Sequence, residues 1–443
     1  MLQAFREFAE EHHLIPNKGR VILAVSGGAD SVVMAHLFHQ ANIPCIIAHC
    51  NFQLRGSESD KDENFVKELG THYGMEVLVK RFDTAAEVEE RKESVQMVAR
   101  DLRFQWFDEL LKNDAFSVVA AGHHQDDQVE TFFINLLRGS GISGLRSILP
   151  RQNDVIHPLL FASRKQIEDY ARLNHLPFRH DRSNDTLKYQ RNKVRHELQP
   201  VLERLAPGYR EVLGKTFRHL RDAEKVLNSC VDSRMSQVIQ PDKHAQRIEK
   251  QSLLKMKHPG EVMRLWLQRY GFHEATTSKI MESLKGPSGK QFFSSSHRLT
   301  ADREHLILEP VSAGDTEQEV LIEENTCQLN APVILRFLKQ PISPGFVMKQ
   351  GSDTATVDLE MLQFPLRLRR WRRGDAFVPL GMTGSKKLSD YFTDLKMPVP
   401  DKERVWLLTS GDDIVWVVGH RIDHRYRVTE KTRQVLQIEL FEK

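Results

Sequence analysis

The hexapeptide Ser26-Gly27-Gly28-Ala29-Asp30-Ser31 leads out of an apolar run, residues 20–26, and into a helical stretch from about Asp30 to Gln40. Paired glycines let the backbone turn tightly and expose its N–H groups, and a helix N-terminus behind them adds positive potential. Such a loop suits phosphate, with Ser26 and Ser31 as hydroxyl donors. Asp30 would repel a bare phosphate, so it acts through Mg²⁺ or through another substrate. The pattern G-x-x-x-x-G-K-[ST] does not occur. The lysine of that pattern serves the β- and γ-phosphates. A loop lacking it suits a grip on pyrophosphate as a leaving unit, with attack at the α-phosphorus and an adenylate as the product. The bland alternative is a Ser/Gly turn that only caps a helix.

A second cluster, Ala121-Gly122-His123-His124-Gln125-Asp126-Asp127-Gln128-Val129-Glu130-Thr131, also runs from a strand end into a helix. Asp127 and Glu130 are three apart and share a helical face. Two carboxylates there suit Mg²⁺ or a substrate ammonium, although acids in a first helical turn are favourable without any ligand. Asp30 and Asp127 are the candidate metal ligands; Asp30, Asp127 and Glu130 are candidate catalytic residues. No further soft ligand is spaced near His123 and His124, which argues against zinc. Arg100 and Arg103 lie one helical turn apart and could face α-phosphate or RNA; Arg100 is the catalytic candidate and Arg103 the RNA candidate. Arg191, Asn192 and Arg195 form a second basic site. His49 and Asn51, beyond the second strand, stand where adenine or ribose would be contacted. Gly139, Gly141 and Gly144 match G-x-G-x-x-G but follow a helix, so they read as a helix end and a loop.

These groups need a scaffold that brings strand ends together. Apolar runs at residues 20–26, 43–49, 75–82 and 117–122 alternate with helical stretches at about 30–40, 59–72, 84–112 and 126–138, after an N-terminal helix over 2–13. Strands apolar on both faces, alternating with helices, predict an α/β domain with a parallel sheet covered by helices. Ligands of such sheets sit at the carboxyl ends of the strands. A Ser-capped helix from 163 and a largely helical 187–238, interrupted at Pro200 and at Pro207–Gly208, extend it. Residues 245–310 mix two helical segments with a hairpin-like pair, and the remainder is mainly β, with a hairpin over 405–419. The expected division is 1–220 for ATP binding and catalysis, 221–310 as a smaller α+β domain, 311–330 as a linker, and 331–443 as a mainly β domain.

With 443 residues, about three domains are expected. Lys and Arg total 63 against 60 Asp and Glu, so a polyanion must be met by local clusters and not by overall charge. Hydrophobic residues at 40% and charged residues at 28% exclude a disordered chain. No apolar run is long enough to span a bilayer, and Glu7, Glu10 and Glu11 do not suit a targeting peptide, so a cytoplasmic location is expected. Cys45, Cys50, Cys230 and Cys327 form no C-x-x-C pair, which argues against a zinc ribbon, a cluster or a disulfide scaffold. Near the C-terminus, Arg367, Arg369, Arg370, Arg372 and Arg373 surround Trp371, an arrangement suited to phosphate contact and base stacking. Lys386, Lys387, Arg421, Arg425 and Arg427 would extend that patch. The alternative is a solvated basic edge.

The SGGADS loop resembles that of the pyrophosphate-loop ATPases. Further stretches resemble the tRNA(Ile)-lysidine synthetase family: residues 48–60, VARDLRF (98–104), AGHHQDDQVET (121–131), LLRGSGISGL (136–145), residues 183–202, RRWRRGD (369–375), KKLSDYF (386–392) and VGHRID (418–423). The resemblance implies that the C2 oxygen of cytidine 34, in an isoleucine tRNA with a CAU anticodon, is adenylated by ATP. The ε-amine of free lysine then displaces AMP, giving lysidine and redirecting decoding from AUG to AUA. It also implies Mg²⁺, C-terminal domains that hold the tRNA body, and a homodimer. Asp127 and Glu130 are then assigned to lysine or Mg²⁺. The rival is a pyrophosphate-loop tRNA thiolation enzyme, which needs reactive cysteines; only Cys50 lies beside the site, so nitrogen is the expected nucleophile. A non-catalytic, ATP-responsive RNA-binding protein is the third possibility.

Overall fold

The computed structural model describes residues 1–179, 190–242, 245–311, 319–343, 346, 348–349 and 351–441. It divides into two compact units, Met1–Leu227 and Asn228–Lys443.

The first unit begins with α1 (Leu2–Glu11) and alternates strands and helices: β1 (Arg20–Ala24), α2 (Ala29–Gln40), β2 (Cys45–Asn51), α3 (Ser57–Tyr73), β3 (Val77–Arg81), α4 (Thr84–Arg91), α5 (Val95–Leu111), β4 (Phe116–Ala121) and α6 (Gln125–Leu137). The short α7 (Ile142–Leu145), the strand pair β5 (Arg151–Gln152) and β6 (Val155–Ile156), and α8 (Arg164–Leu173) follow. The sheet order is β3-β2-β1-β4-β6-β5. All neighbours are parallel except β5 and β6. Ile22 sits beside Ile46 on one side and Val119 on the other. Alternation splits the core. Val21 and Leu23 point with Ile47 and Val118 towards α1, α2 and α8, while Ile22, Ile46 and Val119 meet Val98, Leu102 and Trp106 of α5. Burial on both faces is why these strands read as continuous apolar runs.

Two local features differ from the sequence expectation. The stretch 84–112 is two helices, because Lys92 closes α4 in the left-handed region at φ 54° and Ser94 caps α5 through the Met97 N–H at 3.3 Å. Pro200 does not interrupt the chain. Residues Gln190–Lys193, a widened π-type turn at Val194–Leu198 and Gln199–Leu205 run on, with Pro200 directly after the widened turn. The break at residues 206–208 is where expected, and the helix Tyr209–Met235 follows.

The second unit holds a five-stranded antiparallel sheet in the order 239–241, 246–249, 305–310, 297–301, 290–293. Three helices, Lys250–Lys255, Pro259–Gln268 and Glu274–Ser283, accompany it where two were expected. Trp266, Met263, Leu299 and Leu306 share its core. Two four-stranded sheets follow, and Leu366, Leu368, Leu408 and Trp416 of one share a core with Leu335, Val357 and Ile438 of the other. The hairpin Trp406–Ser410 with Asp413–Val417 forms as read. The stretch 311–330, expected to link, instead carries the strands Val320–Ile322 and Gln328–Leu329, which pair with Leu366–Leu368 and with Leu335–Arg336. Residues 312–318 of it lie outside the described residues.

Candidate active site

Crossovers from β1 lead to β2 and β3 on one side and to β4 and β6 on the other, so the strand order reverses between β1 and β4. A crevice opens at the carboxyl ends of strands at such a point. The glycine loop leaves β1 there and Gly122 leaves β4. Between them is a cleft of about 470 Å³ lined by Ser26, Gly28, Ala29, Asp30 and Ser31 and by Gly122, His123, His124 and Asp127. Gly27 has φ 95°, a conformation L side chains rarely adopt. A Cβ on Gly122 would lie 3.4 Å from backbone atoms of Asp30 and Ser31, so a glycine lets the two strand ends approach. The loop is braced internally: Ser31 Oγ accepts from the Gly27 N–H at 3.2 Å and donates to the Gly28 carbonyl at 2.9 Å.

The two aspartates titrate in opposite directions. Burial pushes the Asp30 carboxyl up, with the Asp127 charge adding to the push, against His124 and the arginines Arg164 and Arg195. Burial also penalises Asp127, but His124, His123, Arg191 and the His124 N–H outweigh it and hold that carboxyl well below the usual range. That N–H donates to Asp127 Oδ2 at 3.0 Å, and His124 Nε2 lies 3.8 Å from Asp30 and 3.5 Å from Asp127. Mg²⁺ commonly takes one or two carboxylates and completes its shell with substrate phosphates and water. Asp30 and Asp127 fit that donor set. Among the described residues, no group of three or more His, Cys, Asp or Glu side chains is placed to hold an ion by itself.

Glu130 does not line the cleft. It is fully buried, and Arg195 grips it with Nε and a terminal nitrogen at 2.6 and 3.2 Å, while Arg191 Nε lies 2.9 Å away. Those two arginines and the buried Asn192 do line the cleft. Glu130 therefore stands behind the cleft, paired with two arginines of its basic wall. The contact holds Arg195 above its ordinary value despite burial.

The two arginines of α5 stand in different places. Arg103 lines the cleft with its guanidinium 5.5 Å from the Phe52 ring centre, whereas Arg100 lies over Phe104 at 4.8 Å and is not among the lining residues. His49 and Asn51, expected at the nucleotide base or ribose, are also away from the cleft lining. His49 is buried with Nδ1 2.8 Å from the Val25 carbonyl. Asn51 is buried, donates to Glu63 at 2.8 Å and accepts from the Gln53 N–H at 3.0 Å. Both are drawn inward by backbone and carboxylate partners that only the fold supplies. Sequence reasoning missed Arg55, Asp62, Arg164, Glu168 and Arg179, all in the lining. Arg55 lay within a stretch noted for its resemblance; the others carry no local signal.

Cys50 lines the cleft, but burial pushes its thiol up to about 12, and that of Cys45 to about 11. Nucleophilic cysteines need the opposite shift. Cys230 and Cys327 lie in the second unit and are exposed.

Several residues expected to contact RNA have partners inside the second unit. Arg369 forks Asp375 at 2.8 and 2.9 Å, Arg370 lies 4.0 Å from the Trp406 ring centre, Trp371 packs edge-on against Phe392 at 5.4 Å, and Lys386 pairs with Asp394. Arg367, Arg372, Arg373 and Lys387 are exposed. Arg367 and Arg372 lie 3.6 and 3.9 Å from Glu319. Of the stretch 183–202, residues 183–189 lie outside the described residues.

A parallel sheet whose glycine loop meets a carboxylate and basic groups at a topological switch point defines a nucleotide-binding domain of the pyrophosphate-loop class. The model of the PP-loop domain matches residues 2–202, that of the TilS substrate binding domain 241–311, and that of the TilS substrate C-terminal domain 366–440. The tRNA(Ile)-lysidine synthase of Bacteroides thetaiotaomicron is 37% identical over 97% of this chain and 97% of its own length. That of Parabacteroides distasonis is 37% identical over 98% of this chain and 99% of its own. A solved structure, the U34-tRNA thiolase NcsA from Methanococcus maripaludis with its [4Fe-4S] cluster, matches at TM-score 0.41 and 20% identity over 49% of this chain and 78% of that one, a likeness too low to bear on function. The chain belongs to the tRNA(Ile)-lysidine synthase family of ATP-dependent, tRNA-modifying ligases. Among the described residues, no helix is long and apolar enough to cross a membrane.

Proposed function

We propose that this chain adenylates the C2 oxygen of cytidine 34 in the CAU anticodon of isoleucine tRNA and joins lysine to it. The observation that carries the reading is the meeting, in one cleft, of the glycine loop, the pair Asp30 and Asp127, and the arginines Arg103, Arg191 and Arg195. The C2 oxygen attacks the α-phosphorus, the bond to the bridging oxygen breaks, and diphosphate leaves. The loop receives that diphosphate through backbone N–H groups and serine hydroxyls. Asp30 and Asp127 would hold Mg²⁺, which supplies charge neutralisation to the phosphates when bound. The arginines answer the negative charge that develops on the transferred group. A carboxylate of this cleft meets the incoming lysine ammonium and takes a proton from it; the freed ε-amine attacks C2, the C2–O bond breaks, and AMP departs with that oxygen. Exposed arginines of the second unit contact the tRNA body by charge. The dimer implied by resemblance belongs to this proposal and is checked by sedimentation at working concentration.

Nitrogen is favoured over sulfur as the nucleophile because the cleft thiol is held protonated. Incubation with labelled lysine, ATP and unmodified isoleucine tRNA should put one lysine into each tRNA with release of AMP and diphosphate. Release of ADP and orthophosphate instead would overturn the reading.

A further inference from the structure

Arg55, Asp62 and Arg179 form an ionic triad along the α3 side of the cleft, outside both the glycine loop and the segment 121–131. The buried Asp62 carboxylate is shared: Oδ1 accepts from Arg179 Nε at 2.9 Å and Oδ2 from a terminal nitrogen of Arg55 at 2.7 Å. Arg179 is fixed to the glycine loop itself. Its backbone N–H donates to the Gly27 carbonyl at 2.9 Å, and its Cγ would stand 3.7 Å from a Cβ placed on Gly27. Its guanidinium also reaches Glu58 at 2.7 Å.

Two guanidiniums this close would repel each other, and a carboxylate between them removes that cost and fixes their direction. Asp62 does not close them off: the Arg55 and Arg179 side chains remain 45% and 36% exposed while lining the same cleft as Ser26 and Gly28. A guanidinium carries five N–H donors in a planar fork, the geometry that suits phosphate oxygens. When the bond between the α-phosphorus and its bridging oxygen breaks, the electron pair leaves with the diphosphate, so charge accumulates beside the glycine loop.

We propose that Arg55 and Arg179 bind the departing diphosphate and that Asp62 is a positioning residue which aims both at it. The triad is thus a second grip beyond the glycine loop, specific to the leaving group. This inference rests on the adenylation reading above.

The test uses the full chain with unmodified isoleucine tRNA, and compares the wild type with Arg55→Gln, Arg179→Gln, Arg179→Lys and Asp62→Asn. Inhibition by inorganic diphosphate, ATP–diphosphate exchange without lysine, and tRNA affinity are measured. Each Gln variant should raise the diphosphate inhibition constant roughly tenfold or more and slow exchange by a similar factor, with tRNA affinity unchanged. Arg179→Lys should recover part of the loss. Asp62→Asn should reproduce both effects; should it fail to fold, the arginine variants still decide. An unchanged inhibition constant in both Gln variants overturns the proposal, as does lost tRNA affinity with diphosphate inhibition intact. A wild type that adds lysine but exchanges no diphosphate overturns the adenylation reading first, which separates the two failures.

Discussion

Asp30 and Asp127 share one cleft yet are driven apart in acidity, because Asp127 receives a backbone N–H and the nearer histidine while Asp30 chiefly loses water. Divergent neighbours of this kind assign roles in active sites. Asp30→Ala should abolish tRNA-dependent release of diphosphate; unchanged release would remove Asp30 from the mechanism. Replacing all four cysteines by serine should leave lysine incorporation within about twofold, since the Cys50 thiol is kept protonated; complete loss would revive sulfur transfer. The residue types of both motifs were legible in the sequence because their chemistry is local. Which arginine of α5 enters the cleft was not, because Arg100 and Arg103 differ only by one helical turn whose orientation the packing of Trp106 and Leu102 sets.

At the scale of elements, buried carboxylates tie the scaffold to the site. Glu63 of α3 accepts from Asn51 of β2 at 2.8 Å and from Arg81 of β3 at 2.8 and 3.1 Å, and pairs with Lys67 at 2.7 Å. The Arg81 contact leads in holding its carboxyl down at about 2. A depressed folded value means stability that is present above the ordinary 4.5 and lost as pH falls towards 2. Glu63→Gln should therefore destabilise the protein at neutral pH by about 1–3 kcal/mol, with the gap to wild type shrinking through that acid window in thermal or denaturant unfolding. Glu130→Gln should be harsher, about 3–5 kcal/mol, because it leaves Arg191 and Arg195 without their shared buried partner; a variant as stable as wild type would show that the arginines do not depend on it. Asn51 and Glu130 looked like ligand contacts because strand ends and first helical turns are where ligands sit. Tertiary partners took both.

Across the whole molecule, each unit carries its own core, and the second joins its two parts by ion pairs. Arg247 contacts Asp401 at 2.8 and 3.0 Å, Arg298 reaches both Glu309 and Glu403, and Arg404 pairs with Glu309. These bring the helix Val399–Glu403 against the five-stranded sheet. Arg247 and Asp401 are only partly buried, so a double-mutant cycle should give a coupling of about 1 kcal/mol or less, weakened by salt. On the proposed function, exposed basic groups of the second unit, Arg367, Arg373 and Lys387, carry the RNA contact. Arg367→Ala with Arg373→Ala and Lys387→Ala should flatten the salt dependence of tRNA binding by about 0.7–0.9 per lost phosphate contact, whereas an unchanged slope would move the RNA surface elsewhere.

The alternation of four strands with helices through residues 20–138, the glycine loop and the resemblance to the family were legible in sequence alone, since apolar periodicity, glycine pairs and short motifs act over a few neighbouring residues. What only tertiary structure decided was which polar side chains face the cleft. Arg55, Asp62, Arg179, Arg191 and Arg195 come from separated parts of the chain, and their direction depends on carboxylates that folding brings to them. A buried charge goes where its partner is, and no partner's position is written in local spacing.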